Sequence, residues 1–488
     1  MSNVPQGKNG VWLKQCSTDK NGAVAGFKSL ADGNLMTNIR TDNPSDDDYP
    51  ALGLASYCLA LLFISYIFSF IDRSILALLV GPIRKDFGIS DFEYSLLQGA
   101  AFSLLYAVAG LPLGRLADRF SRKWIISGSV LFWSLATCAC GLTKNFTQLF
   151  IARMAVGAGE AGLSPPAYSL ILDSFRPRHV GYAMSIYKLG VKVGAGLALV
   201  IGGVLYDYWA TIGILTLPVF GDIKPWQMTL ISVGAPGVIL SALLLTIAEP
   251  KRRDLATSGE KSIPIKTVFR FMWSRKQVYI PLFIGASMMA MAGYGTGSWY
   301  PELFTRIHGM SKSEAGVSYG TVVLVGGSLG VMFGAWLARF LENKGYTDSY
   351  VRAIFLTSLL AIPLMVAAPL TGSARWNLIL LWPGMIMAGS YLGVLAVSFV
   401  IITPNEMRGQ ITAVYLFFTN IMGMAVGTTI LAAFTDFLFQ DDALLHYSIA
   451  TACGLFYPLA AIAFWFSLAP YRGAVQEIGH WDLAEPRH

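Results

Sequence analysis

Charge is what this chain has least of. Only 13% of its 488 residues are Asp, Glu, Lys or Arg, against about 25% in ordinary proteins. With 54% hydrophobic residues and a mean hydropathy of +0.54, that scarcity excludes a soluble globular domain. Histidine is scarcer still. His179, His308 and His446 lie at span ends or in loops, and His480 and His488 lie in the C-terminal tail. No histidine cluster is available to hold a metal, and no Ser/His/Asp set shares a depth. The five cysteines (Cys16, Cys58, Cys138, Cys140 and Cys453) show no metal-ligand spacing. An enzyme, a metal and a cofactor are therefore not expected. The net charge of +7 comes from Lys and Arg in short loops, which is topology rather than a nucleic-acid surface. Residues 1–50 are polar, rich in Asn, Gly and Asp, and carry no signal-peptide pattern, so a disordered tail is expected.

What is present is a series of long apolar runs. A bilayer core of about 30 Å takes about 20 apolar residues per helix. Twelve runs qualify: 53–80, 92–114, 123–142, 147–173, 180–206, 227–248, 277–303, 314–340, 351–370, 376–402, 409–435 and 445–469. The second opens on Ser90-Asp91-Phe92-Glu93, which fits a capping box. An even count puts both termini on one side. The basic residues crowd the loops of that side, among them Arg115, Arg119, Arg122, Lys123, Arg176, Lys251 and Arg252, so both termini are expected in the cytoplasm. Arg178–Ala183 with Tyr187 lines up with Glu406–Ile411 with Tyr415, each at the start of an odd-numbered span. Gly330-x-x-x-Gly334 with Arg339 is a decayed copy of the Gly114 loop. Duplicated halves around a midplane site are a transporter architecture. The expected division is a tail (1–50), a first six-helix bundle (51–248), a cytoplasmic linker (249–276), a second bundle (277–470) and a cytoplasmic tail (471–488). The fold class is an all-α polytopic membrane protein of twelve helices in two pseudo-symmetric bundles.

An ionisable group inside a bilayer is costly unless paired or hydrated, so each is a functional candidate. Asp72 and Arg73 lie in the first span, about 12 Å from its outer end at 1.5 Å per residue. Arg153 lies at similar depth in the fourth span. Glu160 is seven residues further on and shares its face. Asp72 and Arg153 are placed to pair, either as a static clamp or as a switchable pair, with Glu160 below. As a switchable pair, Arg153 would be the exchangeable counter-charge for proton coupling by Asp72 and Glu160. Lys188 and Lys192 stand one turn apart on the fifth span. They contact an anionic substrate, or one neutralises Glu160, or they are solvated in a cavity; Arg73 belongs with the substrate contacts. The second half offers Tyr294 and Asn420 as polar contacts in an otherwise apolar wall. Gly190, Gly194, Gly196, Gly202 and Gly203 line the fifth span and permit close helix approach.

The loop Gly114-Arg115-Leu116-Ala117-Asp118-Arg119-Phe120-Ser121-Arg122-Lys123 resembles the signature between helices 2 and 3 of the major facilitator superfamily. Gly114 would allow close helix approach, and Asp118, Arg119, Arg122 and Lys123 would latch the cytoplasmic side. Phe70-Ile71-Asp72-Arg73, Gly157-Ala158-Gly159-Glu160-Ala161 and Ile171-Leu172-Asp173-Ser174-Phe175 resemble the Spinster-type branch of that superfamily. The resemblance implies a monomeric, proton-coupled transporter of the bacterial inner membrane for an amphiphilic, lysolipid-like or organic solute. It also implies proton coupling at Asp72 and Glu160. The lysines of the fifth span depart from the family pattern and favour an anionic substrate. Two rivals stay open: an importer of small sugar or aromatic acids of the anion:cation symporter type, and a non-transporting receptor.

Overall fold

The computed structural model describes residues 49–218, 221–252, 264–404 and 407–484. The N-terminal tail and the centre of the linker lie outside them. The first half consists of α1 (Leu52–Leu78), α2 (Val80–Phe87), α3 (Asp91–Gln98), α4 (Ala100–Arg119), α5 (Arg122–Cys140), α6 (Phe146–Glu160), α7 (Ser164–Ser174), α8 (Pro177–Ile212) and α9 (Pro225–Leu244). A small antiparallel hairpin, β1 (Leu215–Leu217) with β2 (Gly221–Ile223), joins α8 to α9 with Leu215 opposite Ile223. A short helix, α10 (Ile265–Ser274), leads into the second half. That half is α11 (Lys276–Arg306), α12 (Lys312–Asn343), α13 (Ser349–Leu370), α14 (Ala374–Ile401), α15 (Arg408–Phe439) and α16 (Leu445–Ala484).

Ten helices among the described residues are long and apolar enough to cross a membrane. The expected second and fourth spans are instead broken pairs, α3 with α4 and α6 with α7. The first break has a packing cause. Gly99 presses against the backbone of α15, and a Cβ there would lie 2.1 Å from the Met424 carbonyl oxygen, so only glycine fits. The second break precedes Pro165, which lacks an N–H and suits a first helical turn. The capping box at Ser90 forms: the Glu93 N–H donates to Ser90 Oγ (3.1 Å), and the Ser90 N–H donates to Glu93 Oε2 (2.9 Å). The linker contains α10, and the last helix runs past 470 to Ala484.

Within the first half α1 packs on α8, α5 on α9, and α4 on α6; within the second, α16 packs on α11 and α13, and α12 on α14. The halves meet where α8 crosses α12 and where α3 and α4 meet α15. Glycines make that approach possible. A Cβ on Gly203 would lie 2.3 Å from the Lys312 carbonyl oxygen, and one on Gly316 would lie 2.2 Å from that of Leu199. Gly330 and Gly334 likewise press on the backbone of α14. Gly114, expected to play that part in the first half, has nothing within 4 Å of the point where a Cβ would stand. In this conformation it makes no close approach.

Candidate substrate cavity and charge network

Both halves contribute to a cavity of about 230 Å³. The first half supplies Phe70 and Arg73 from α1, Gln98 from the end of α3, and Lys192 and Leu199 from α8. The second supplies Tyr294, Tyr319, Met385, Tyr391, Met424, Thr428 and Tyr457. The wall is mainly apolar and aromatic, with polar groups at a few points and two cations, Arg73 and Lys192. Local helix geometry bears on where it sits. α12 and α15 each contain a π-helical turn, at Val322–Gly326 and Ile421–Gly427, and Val323 and Met424 from those turns line it. Such turns often mark functional sites.

Arg73 is the best-defined group. Its Nε donates to Glu160 Oε2 at 2.6 Å, and the same oxygen accepts the Ser69 hydroxyl at 2.5 Å. The guanidinium also lies 4.8 Å from the Phe70 ring centroid and 4.7 Å from those of Phe102 and Tyr106. Each desolvated cation–π contact is worth up to about 2 kcal/mol, so the cage fixes the head of this side chain. Glu160 is buried, and its second oxygen, Oε1, has no hydrogen-bond partner.

This overturns the expected pairing. Arg153 donates from Nη1 to the backbone carbonyl of Asp72 at 3.1 Å, and no ion pair joins their side chains among the described residues. Asp72 is buried facing Trp133 and Thr137 of α5, and its Oδ1 is unpartnered. It lies outside the cavity wall. Adjacent residues on a helix are turned about 100° apart, so Arg73 and Asp72 face different neighbours. Glu160 is neutralised by Arg73 and not by a lysine of α8. Of the two lysines, Lys192 reaches the cavity, and among the described residues it makes no ion pair or hydrogen bond; Lys188 is exposed and outside the wall. Tyr294 lines the cavity and Asn420 does not.

The loop residues expected to latch are placed differently too. Arg122 is buried and bonds within its own half. It pairs with Asp173, and it donates to Glu249 Oε1 from its backbone N–H (2.8 Å) and Nε (3.1 Å). Burial pushes the Glu249 carboxyl up, but hydrogen bonds from Ser121 and Arg122 hold it below the usual carboxylate range. Lys123 Nζ caps the carbonyls of Leu245 (3.4 Å) and Ile247 (3.3 Å), and Arg119 is exposed. The Asp118 side chain lies outside the described residues.

Sequence reasoning missed a second charge network, at the end of the molecule remote from this loop. Arg306 of α11 forks onto Asp91 of α3 (2.8 and 3.0 Å), and Arg84 bridges Asp91 (2.9 Å) and Asp442 (2.9 Å). The Phe92 N–H donates to Asp436 at 2.6 Å, and the Ser313 N–H to Asp207 at 2.8 Å. Buried Glu302 holds Arg306 (3.2 Å) and Lys312 (3.0 Å) and accepts the Gly81 N–H at 3.4 Å. The bonds of Arg306 to Asp91, Arg84 to Asp442, Phe92 to Asp436, Ser313 to Asp207 and Gly81 to Glu302 join the halves, and among the described residues the ion pairs that do so all lie at this end. The one signal available was the presence of Arg84, Arg306 and Lys312 near the ends of spans.

The sequence profile of the Major Facilitator Superfamily matches residues 62–428, and the chain belongs to that superfamily and has its transporter fold. Within it the chain resembles the Spinster type. It is 27% identical to a bacterial homologue of the human lysosomal transporter Spinster, solved in an inward-facing and unoccupied conformation; the match has a TM-score of 0.69 and covers 88% of this chain and 98% of that one. An MFS-type efflux pump of Mycolicibacterium smegmatis is 24% identical over 84% of this chain and 91% of its own length. The sphingosine-1-phosphate transporter SPNS2 of Danio rerio is 25% identical over 78% of this chain and 73% of its own. The protein is thus a multi-pass membrane transporter rather than an enzyme.

Proposed function

We propose that this chain is a proton-coupled secondary transporter of an amphiphilic anion, working by alternating access between its two halves. The observation that carries the reading is that Arg73 both lines the cavity and neutralises Glu160. A buried carboxylate without its counter-charge is strongly disfavoured in low dielectric. When an anionic head group enters and draws on Arg73, Glu160 takes up a proton; when the anion leaves, the pair re-forms and the proton is released. Lys192 supplies the second contact to the anion, and the aromatic and methionine walls take the apolar part. Asp72, buried beside Arg153, is the second titrating group. Arg119, Arg122 and Lys123, with Asp118, latch the basic end in the alternate state, in which both termini and this end face the cytoplasm. The protein works as a monomer in an inner membrane.

A second reading is favoured by one quantity. The cavity, about 230 Å³, lies below the 300–1,000 Å³ typical of drug-sized ligands, which suits a small organic acid. The test is proton flux into proteoliposomes carrying an internal pH dye, for wild type, Asp72→Asn and Glu160→Gln. Flux triggered by a lysophospholipid and lost in the variants, with binding retained, is the expected result. Flux triggered only by sugar or aromatic acids establishes the second reading, and binding without flux for any ligand points to a receptor.

A further inference from the structure

The linker helix α10, Ile265–Ser274, has a surface outside the cavity wall. At 100° per residue, Val268, Phe271 and Met272 share one sector. That sector is turned to the protein: Val268 is buried, and Phe271 meets Tyr279 of α11 edge-on at 6.0 Å. The adjoining sector carries Ile265, Phe269 and Trp273 at i, i+4 and i+8, which are 61%, 49% and 68% exposed. Beyond them come Lys266 and Arg270, both exposed, and then Thr267 and Ser274. No Asp or Glu occurs from Pro264 to Pro281. Arg275 bonds to Glu477 of α16 at 2.9 Å, and the Lys276 ammonium lies 5.5 Å from the Trp273 ring. On α11, long and apolar enough to cross a membrane, Ile280 and Ile284 are exposed as well.

We infer that α10 is an interfacial helix that seats Ile265, Phe269 and Trp273 in the bilayer and holds Lys266 and Arg270 against anionic phospholipid head groups. Two observations choose this occupant over a protein partner. The apolar stripe lies at the end of a helix long and apolar enough to cross a membrane, whose Ile280 and Ile284 are exposed as well, and the stripe's one polar flank is purely cationic. That order of sectors, protein, acyl chain, head group, water, is what a helix lying in the plane of a charged interface requires. Tryptophan and lysine at the boundary are the usual anchors. The inference rests on membrane insertion alone and is independent of the substrate.

The test uses the full chain with its five native cysteines changed to Ser and an environment-sensitive fluorophore at Phe269→Cys or, on the water-facing sector, Thr267→Cys. The protein is reconstituted in phosphatidylcholine with and without phosphatidylglycerol, and quenching by a doxyl-labelled phospholipid and by aqueous iodide is read. The expected result is several-fold stronger lipid quenching at 269 than at 267. Phosphatidylglycerol raises it further, and the pair Lys266→Gln/Arg270→Gln abolishes that rise. Equal quenching at the two positions overturns the inference. So does quenching at 269 that ignores both phosphatidylglycerol and the charge substitutions. A label at 269 shielded from lipid and iodide alike also overturns it, because a second copy or another protein then covers the stripe.

Discussion

Asp72 and Arg73 are neighbours in the chain, and the turn between them decides which one meets a ligand. Depth along a span was legible in the sequence, because it is a count of residues multiplied by a rise. Azimuth was not, since a membrane helix is apolar nearly all round and gives no moment to orient it. Asp72 and Arg153, expected to pair through their side chains, meet here only through the Asp72 carbonyl, Glu160 pairs with Arg73, and Lys192 lies in the cavity wall. Two predictions belong at this scale. Arg73→Lys keeps the charge but loses the planar contact to three rings, and lysine is no substitute at a stacked site. One to two kcal/mol of cation–π energy corresponds to about tenfold weaker binding of an anionic ligand, read by scintillation proximity or calorimetry, and unchanged affinity would contradict the cage. Lys192→Ala removes a charged hydrogen-bond donor worth about 1.5–3 kcal/mol. Binding of anionic ligands should weaken by about ten- to a hundredfold while a neutral analogue is unaffected; an equal loss for both would assign Lys192 to packing.

Elements were more legible than partners. Hydropathy located the spans, and the Ser90 cap was readable because its chemistry is local. The two breaks were not, because glycine and proline are common in membrane helices and only the facing backbone shows which one interrupts. Nor was α10, whose ten residues are too few for a span and whose i, i+4, i+8 apolar stripe lay in a loop read for charge alone. The glycine contacts carry a prediction. Gly203→Val would drive side-chain carbons into the Lys312 carbonyl, 2.3 Å from the Cβ position, and so disfavours the observed approach of α8 to α12. Spin labels at Thr211→Cys and Gln440→Cys, both exposed, should show a longer distance in this variant. A distance distribution identical to that of Gly203 protein would show that α8 and α12 can slide to absorb the bulk. The joint between α5 and the end of α9 carries another. Because the Glu249 carboxyl is held below its ordinary value by Ser121 and Arg122, its contribution is present at neutral pH. It is lost as pH falls below about 4.3, the unperturbed value, through the lowered one. The thermal midpoint of detergent-solubilised protein should accordingly drop more steeply with acid than that of Glu249→Gln, and parallel curves would remove Glu249 from the account.

At the scale of the whole molecule, each half is braced within itself near the basic loops. Arg122 ties α5 to Asp173 and Glu249 in the first half, and buried Asp348 holds Arg352 (2.9 Å) and Arg472 (3.6 Å) in the second. Between the halves, the described ion pairs gather at the opposite end, around Asp91. Two halves joined by charge at one end and by the close glycine contacts of α8 with α12 suit rocking, in which these joints break and re-form. Asp91 is fully buried and neutralises two arginines, Arg84 and Arg306, that are themselves largely buried. Removing one partner of a buried pair costs about 3–5 kcal/mol. Asp442 remains 2.9 Å from Arg84 and 3.8 Å from Arg306, so the low end of that range applies to Asp91→Asn. About 3 kcal/mol is about two decades in an equilibrium constant, enough to convert a population closed at this end into one mostly open there. The same labels at 211 and 440 should then report the longer distance, turnover should fall because the return step is disfavoured, and ligand binding at Arg73 should persist. Should Asp91→Asn keep the short distance with normal turnover, the glycine contacts of α8 with α12 rather than the charges would be what holds the two halves together.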